Sequence, residues 1–354
     1  MLAKIHSCTI LGINGIPLDV EVDISDGLPA FDIIGLPDAS VREAKERVRS
    51  AIRNSGFSFP LSRVTVNLAP ADIKKEGSAF DLAIAVGFLA ATGQIPNDGK
   101  LDNSVFAGEL SLNGNLRSVN GALAMALSLS KLEGYRKKTL ILPEANSKEA
   151  ALVENITVKG PFSLAELVEY LRGKGELSNI KPLKDNLPEG AQSGLDFSEV
   201  KGQETAKRAL EIAAAGAHNL LFYGPPGSGK TMLARRLPSI LPAPALEEIL
   251  EITRIHSVAG RLNPEEPLCK ERPFRSPHHS ATTAGIIGGG LSPKPGEVSL
   301  AHLGVLFFDE MPEYNREILE TLRQPLEDRQ VTVTRSAATV TYPADFMFIG
   351  SMNP

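Results

Sequence analysis

Apolar residues recur along the first half of the chain with two different periods. Val41, Ala44, Val48, Ala51 and Ile52 fall at helical spacing, which predicts an amphipathic helix over 40–54 that ends at Gly56. Val64-Thr65-Val66-Asn67-Leu68 alternates apolar and polar side chains and is rich in valine, so it predicts a strand. Residues 79–91 are almost wholly apolar, the pattern of a buried helix, and Gly93 stops it. Asn113-Gly114 lies between GELSL and NLRSV and predicts a tight hairpin. Helices near 121–132 and 163–171 should flank a strand over 139–142. Strands alternating with helices across short connections make an α/β domain.

The periodicity then stops. Residues 173–197, GKGELSNIKPLKDNLPEGAQSGLDF, are rich in Gly, Pro, Lys and Asp and predict a linker. Beyond it come a helix over 203–215, the apolar strand Leu220–Tyr223, a glycine loop and another helix. The expected organisation is one domain over 1–172, a linker over 173–197 and a second domain over 198–354. No internal repeat or low-complexity tract is visible.

Composition narrows the chemistry. The 354 residues hold 37 Lys and Arg against 42 Asp and Glu, a net charge of -5, so any contact with nucleic acid must be local. Trp is absent and there are 5 Tyr, few platforms for stacking bases. Cys8 and Cys269 cannot make a disulfide framework, which suits a reducing cytoplasm. No apolar run is long enough to predict a membrane span, and MLAKIHSCTI lacks the apolar core of a signal peptide.

Three stretches carry candidate chemistry. Gly224, Pro225, Pro226, Gly227, Ser228, Gly229, Lys230 and Thr231 match the phosphate-binding loop G-x-x-x-x-G-K-[ST], between a strand and a helix. Glycines let backbone N–H groups approach the phosphates of ATP, Lys230 reaches the outer phosphates, and Thr231 offers a hydroxyl to Mg²⁺. Val305-Leu306-Phe307-Phe308 is an apolar strand that ends in Asp309-Glu310. Asp309 is a Mg²⁺ ligand candidate and Glu310 a candidate general base for the attacking water. A later apolar strand, 346–349, leads to Asn353, which could bond the outermost phosphate or the water. The expected site sets a triphosphate on the loop after Tyr223, facing an acid pair from a neighbouring strand. His278 and His279 are adjacent, project in different directions, and have no evident third ligand for a metal.

These three stretches together resemble an AAA+ ATPase. FRSPHHS (274–280), the glycine run 285–290 and PGEVSLAH (295–302) look like the magnesium-chelatase-related competence ATPases, the ComM and YifB group. The resemblance implies an ATP-hydrolysing ring motor, a hexamer acting on single-stranded or branched DNA as a helicase or branch-migration factor in recombination or natural transformation. A protein remodeller and a metal-chelatase-type subunit stay open as alternatives. It further implies that 281–291 is a pore-facing insertion and that 329–346 is a hairpin contacting DNA, with Arg335 at its turn. Val200–Gln203 would pack near adenine, in the family's usual arrangement. The trans-acting arginine and the helical lid of such motors lie beyond the residue matching Asn353, so the chain reads as a fragment that binds ATP and turns it over slowly.

The first block resembles the proteolytic domain of Lon, of the ribosomal-S5-domain-2-like superfamily. Aligned on Gly77 and Gly121, the family's serine falls on Ala79 and its lysine on Leu123, with Ser78 one residue away. Neither a methyl nor an isobutyl group can attack a carbonyl or take its proton, so the implied role is a scaffold and not a protease.

Overall fold

A computed structural model describes residues 1–180, 194–263, 265–290, 293–335 and 338–354, without the side chains of Arg335 and Ala338. Part of the expected linker, Leu291 of the expected insertion and the hairpin turn at 336–337 therefore lie outside the described residues. The chain divides into two compact units, built on Met1–Asp185 and on Asn186–Leu262 with Leu268–Pro354.

The first unit is a mixed seven-stranded sheet. From one edge its strands are Ala30–Ile34, Arg63–Ala69, Asn14–Ser25, Leu2–Leu11, Ser104–Phe106, Thr139–Ile141 and Thr157–Lys159. Its centre is a long antiparallel hairpin in which Leu2 pairs with Asp23 and Leu11 with Asn14. The predicted amphipathic helix spans Ala39–Asn54, capped by the Asp38 carboxylate on Val41 N–H, with the five periodic apolar residues buried. The helix Asp81–Ala91 is buried at every position. Gly87 is required there, because a Cβ would stand 2.6 Å from Val22 Cγ2. Asn113-Gly114 does sit in a hairpin, but a wider one than expected. Glu109–Leu110 pairs with Leu116–Arg117 around a loop closed by Ser111 N–H to Asn115 O.

The second unit holds a parallel sheet in the order Leu220–Tyr223, Met347–Met352, Val305–Phe308, Phe274–Arg275. Alternate residues Phe222, Val305, Phe307, Met347 and Ile349 face one core with Leu210, Ala213, Leu233 and Ala234 from the helices Glu204–Gly216 and Lys230–Arg236. Full burial of a side chain as large as Phe307 contributes roughly 1.5–3 kcal/mol. The hairpin Gln330–Arg335 with Ala338–Pro343 buries Val331, Val333, Val340 and Tyr342 and exposes Thr332, Thr334, Thr339 and Thr341. Among the described residues no helix is long and apolar enough to cross a membrane.

Burial gives the two units opposite acid responses. In the second, His302 Nδ1 accepts the Asp345 N–H at 3.0 Å, while its Nε2 lies 3.3 Å from Glu251 Oε1 without hydrogen-bond geometry. Burial holds the imidazoles of His302 and His256 below the usual histidine value. The unfolded chain then binds more protons below about pH 6.5, so this unit loses stability as pH falls through that value. In the first, burial raises the Asp81 carboxyl to about 6 despite its bonds from Arg47 at 2.8 and 3.0 Å. Here the folded state takes the proton first, so stability is gained as pH falls through 6 and lost as it rises. Hydrogen exchange at pH 7.5 and 5.5 should show protection falling in the second unit relative to the first. Parallel changes in both would contradict this account.

Candidate active site

Parallel pairing decides where the chemistry gathers. Tyr223 is opposite Met352 and Phe308 opposite Gly350, so all three strands end at the same edge. The phosphate-type loop, the acid pair and Asn353 leave the sheet there. The acid strand is not the immediate neighbour of Leu220–Tyr223, as the sequence suggested. Met347–Met352 lies between them and carries Asn353 in the middle. Carboxyl ends of parallel strands are the usual position for a ligand crevice in open α/β sheets.

Gly227 and Gly229 adopt left-handed φ values of 76° and 89° in the loop, which glycine tolerates without strain. Lys230 opens the helix Lys230–Arg236, and Gly229 O accepts the Leu233 N–H at 2.9 Å in its first turn. Lys230 Nζ donates to Gly224 O at 2.6 Å, Pro225 O at 3.0 Å and Asn353 Oδ1 at 2.9 Å. Thr231 Oγ1 donates to Asp309 Oδ2 at 2.8 Å. Residues from three separate stretches thus meet at hydrogen-bond distance, and the helix N-terminus beside them favours an anion.

Glu310 has φ 52°, a left-handed conformation uncommon for a residue with a side chain. It turns the chain off the strand, and the Glu310 side chain is exposed beside the half-buried Asp309. Ser351 supports this turn: its hydroxyl accepts the Glu310 N–H at 3.0 Å and donates to Asp309 Oδ1 at 2.5 Å. Ser351 was not among the expected site residues. The sequence signal was a serine in an otherwise apolar run two positions before Asn353; its burial, 1% exposed, and its partner come from the fold.

Tyr314 was also not anticipated. Its ring stacks on Phe308 at 4.0 Å, and its hydroxyl donates to Pro277 O at 2.5 Å. Burial, with a further contribution from the Asp309 charge, pushes that phenol up to about 12. His278 and His279 lie with ring centroids 4.0 Å apart, and Ser280 N–H donates to His278 Nδ1 at 3.2 Å. Among the described residues no group of three or more His, Cys, Asp or Glu side chains gathers as a metal site. Burial raises the Cys269 thiol to about 11. In the first unit Leu123 is fully buried, its N–H donates to Glu149 Oε1 at 2.8 Å, and the Ser78 hydroxyl donates to Glu109.

The family model described as magnesium chelatase, subunit ChlI, matches residues 196–354, and a second, subunit ChlI of Mg-chelatase, matches residues 20–146. The YifB protein of Escherichia coli is 45% identical over the whole chain, which covers 68% of that relative. The competence protein ComM of Haemophilus influenzae is 44% identical over the whole chain, which covers 69% of it. Lon protease 2 of Bacillus subtilis is 30% identical over 46% of the chain and 30% of its own length. A cryo-EM-based structure of the BchI and BchD subunits of magnesium chelatase matches at 24% identity and TM-score 0.37, over 45% of this chain and 55% of that one. That score is too low to bear on fold or function. With 45% and 44% identity to YifB and ComM across its whole length, this chain belongs to the magnesium-chelatase-like family of ComM and YifB proteins.

Proposed function

We propose that this chain binds ATP with Mg²⁺ and hydrolyses it, as a subunit of a homo-hexameric AAA+ ring that acts on DNA in the cytoplasm. The observation that carries the reading is the meeting of Lys230 with Asn353 and of Thr231 with Asp309 at one sheet edge. Thr231 Oγ1 and Asp309 Oδ2 form a pair of hard oxygen donors that fits Mg²⁺, an ion that keeps several waters and shares phosphate oxygens. When bound, Mg²⁺ would neutralise charge developing on the phosphates.

The chain's own residues supply the rest. Loop amides and Lys230 hold the triphosphate, and Thr231 and Asp309 would hold the ion. Glu310 orients the attacking water and takes its proton, while Asn353 holds the outermost phosphate against Lys230. We take 198–354 as the ATPase core and 1–172 as a non-proteolytic platform. In the platform Ala79 and Leu123 offer no nucleophile or base at the Lon dyad positions, and Ser78 is engaged by Glu109.

The DNA assignment rests on the family resemblance and on ComM being named a competence protein. It is tested by ATPase rates with single-stranded DNA, branched DNA, unfolded protein or a porphyrin. Stimulation by DNA alone is expected. Stimulation by unfolded protein or porphyrin without a DNA response would replace this reading with a remodeller or a chelatase subunit.

A further inference from the structure

We infer that Gln203 is a positioning residue for the phosphate loop: its side-chain amide fixes the peptide between Ser228 and Gly229 so that the Gly229 N–H faces the phosphates. This rests on the ATP reading above. Gln203 Nε2 donates to Ser228 O at 3.2 Å. A trans peptide is planar, with its C=O and N–H pointing in opposite directions. Holding the Ser228 carbonyl on the Gln203 side therefore aims the Gly229 N–H the other way, into the concavity of successive amides that binds anions.

The loop needs such a clamp. Gly227 and Gly229 flank Ser228 with φ 76° and 89°; a Cβ on Gly227 would meet nothing within 4 Å, and one on Gly229 would meet the flexible end of Met232, Cε, at 3.3 Å. Turning this peptide changes ψ of Ser228 and φ of Gly229, and glycine lets the second rotate readily. The neighbouring groups are already committed, Ser228 N–H to Pro225 O at 3.3 Å and Gly229 O to Leu233 N–H at 2.9 Å. The peptide between them is the one that Gln203 reaches.

Gln203 is itself anchored. Its carbonyl accepts the Lys207 N–H at 2.9 Å at the start of the helix Glu204–Gly216. Leu210 and Ala213 of that helix share a core with Leu233 and Ala234 of the helix that follows the loop. Gln203 has φ 60°, a conformation that costs a side-chain-bearing residue energy and is kept where the surroundings enforce it. On the preceding segment, Arg236 Nη2 bonds Glu199 Oε2 at 2.6 Å and Val200 is buried. The tether thus joins two elements packed on one core.

Nucleotide titrations of the unmodified chain, Gln203→Glu and Gln203→Gly test this. Glutamate matches glutamine in shape but places an acceptor against the Ser228 carbonyl. Glycine relieves the backbone conformation while deleting the tether. Gln203→Glu should weaken ATP and GTP equally, by about tenfold, and Gln203→Gly should weaken both by about three- to tenfold. Thermal melting of both variants should stay close to that of the unmodified chain, since Gln203 is exposed. Unchanged affinity in Gln203→Glu would overturn the proposal, as would a loss confined to adenine nucleotides, which would mean a contact with the base. An unmodified chain that binds no ATP would instead defeat the ATP reading on which the proposal rests.

Discussion

Glu310→Gln is expected to bind ATP within a few-fold of the unmodified chain and to hydrolyse it about 100-fold to 10,000-fold more slowly, the range that general base catalysis supplies. The amide keeps the size and polarity of the carboxylate but cannot take a proton from water. Fold and binding should survive, because the Glu310 side chain is exposed and its backbone is held by Ser351, which the substitution does not touch. Asp309 keeps its bonds to Thr231 and Ser351. Single-turnover hydrolysis measured beside equilibrium ATP binding separates the two effects. A Glu310→Gln chain with undiminished kcat would assign the base to another residue.

Lys230→Ala should abolish measurable ATP binding. A hydrogen bond to a charged partner contributes about 1.5–3 kcal/mol, and each 1.4 kcal/mol is about tenfold in affinity. On the proposed reading, removing the ammonium deletes the point charge offered to the outer phosphates, and it deletes the link from the loop to Asn353, so a loss of about 100-fold or more is expected. Lys230 also donates to Gly224 O and Pro225 O of the loop, bonds that the substitution removes as well. Isothermal titration with ATP checks this. Affinity within a few-fold of the unmodified chain would show that the lysine does not face the phosphates.

Much of this site was legible before the fold, because its chemistry is local. The loop glycines, Lys230 and Thr231 are contiguous, and Asp309-Glu310 directly follow four apolar residues. The strand order was not legible, since pairing is set by contacts far apart in sequence; Met347–Met352 between the other two strands is the result. Ser351 and Gln203 were invisible as partners for the same reason, as each acts on a residue more than one element away. In the first unit, Leu18, Val20 and Val22 alternate with Asp19, Glu21 and Asp23, a strand pattern legible within Asn14–Ser25. Its partner Leu2–Leu11 was harder, because Ser7 and Thr9 are buried where alternation would place apolar side chains. The Asn113-Gly114 turn was placed correctly but opened into a wider loop, held by Ser111 and Asn115.

A structure of the Glu310→Gln chain solved with ATP and Mg²⁺ tests the central claim most directly. The account predicts outer phosphate oxygens within hydrogen-bond distance of Lys230 Nζ and the loop amides, with the metal held by Thr231 Oγ1 and by the Asp309 carboxylate, directly or through water. Nucleotide bound away from Gly224–Thr231, or a metal that touches neither Thr231 nor Asp309, would contradict it.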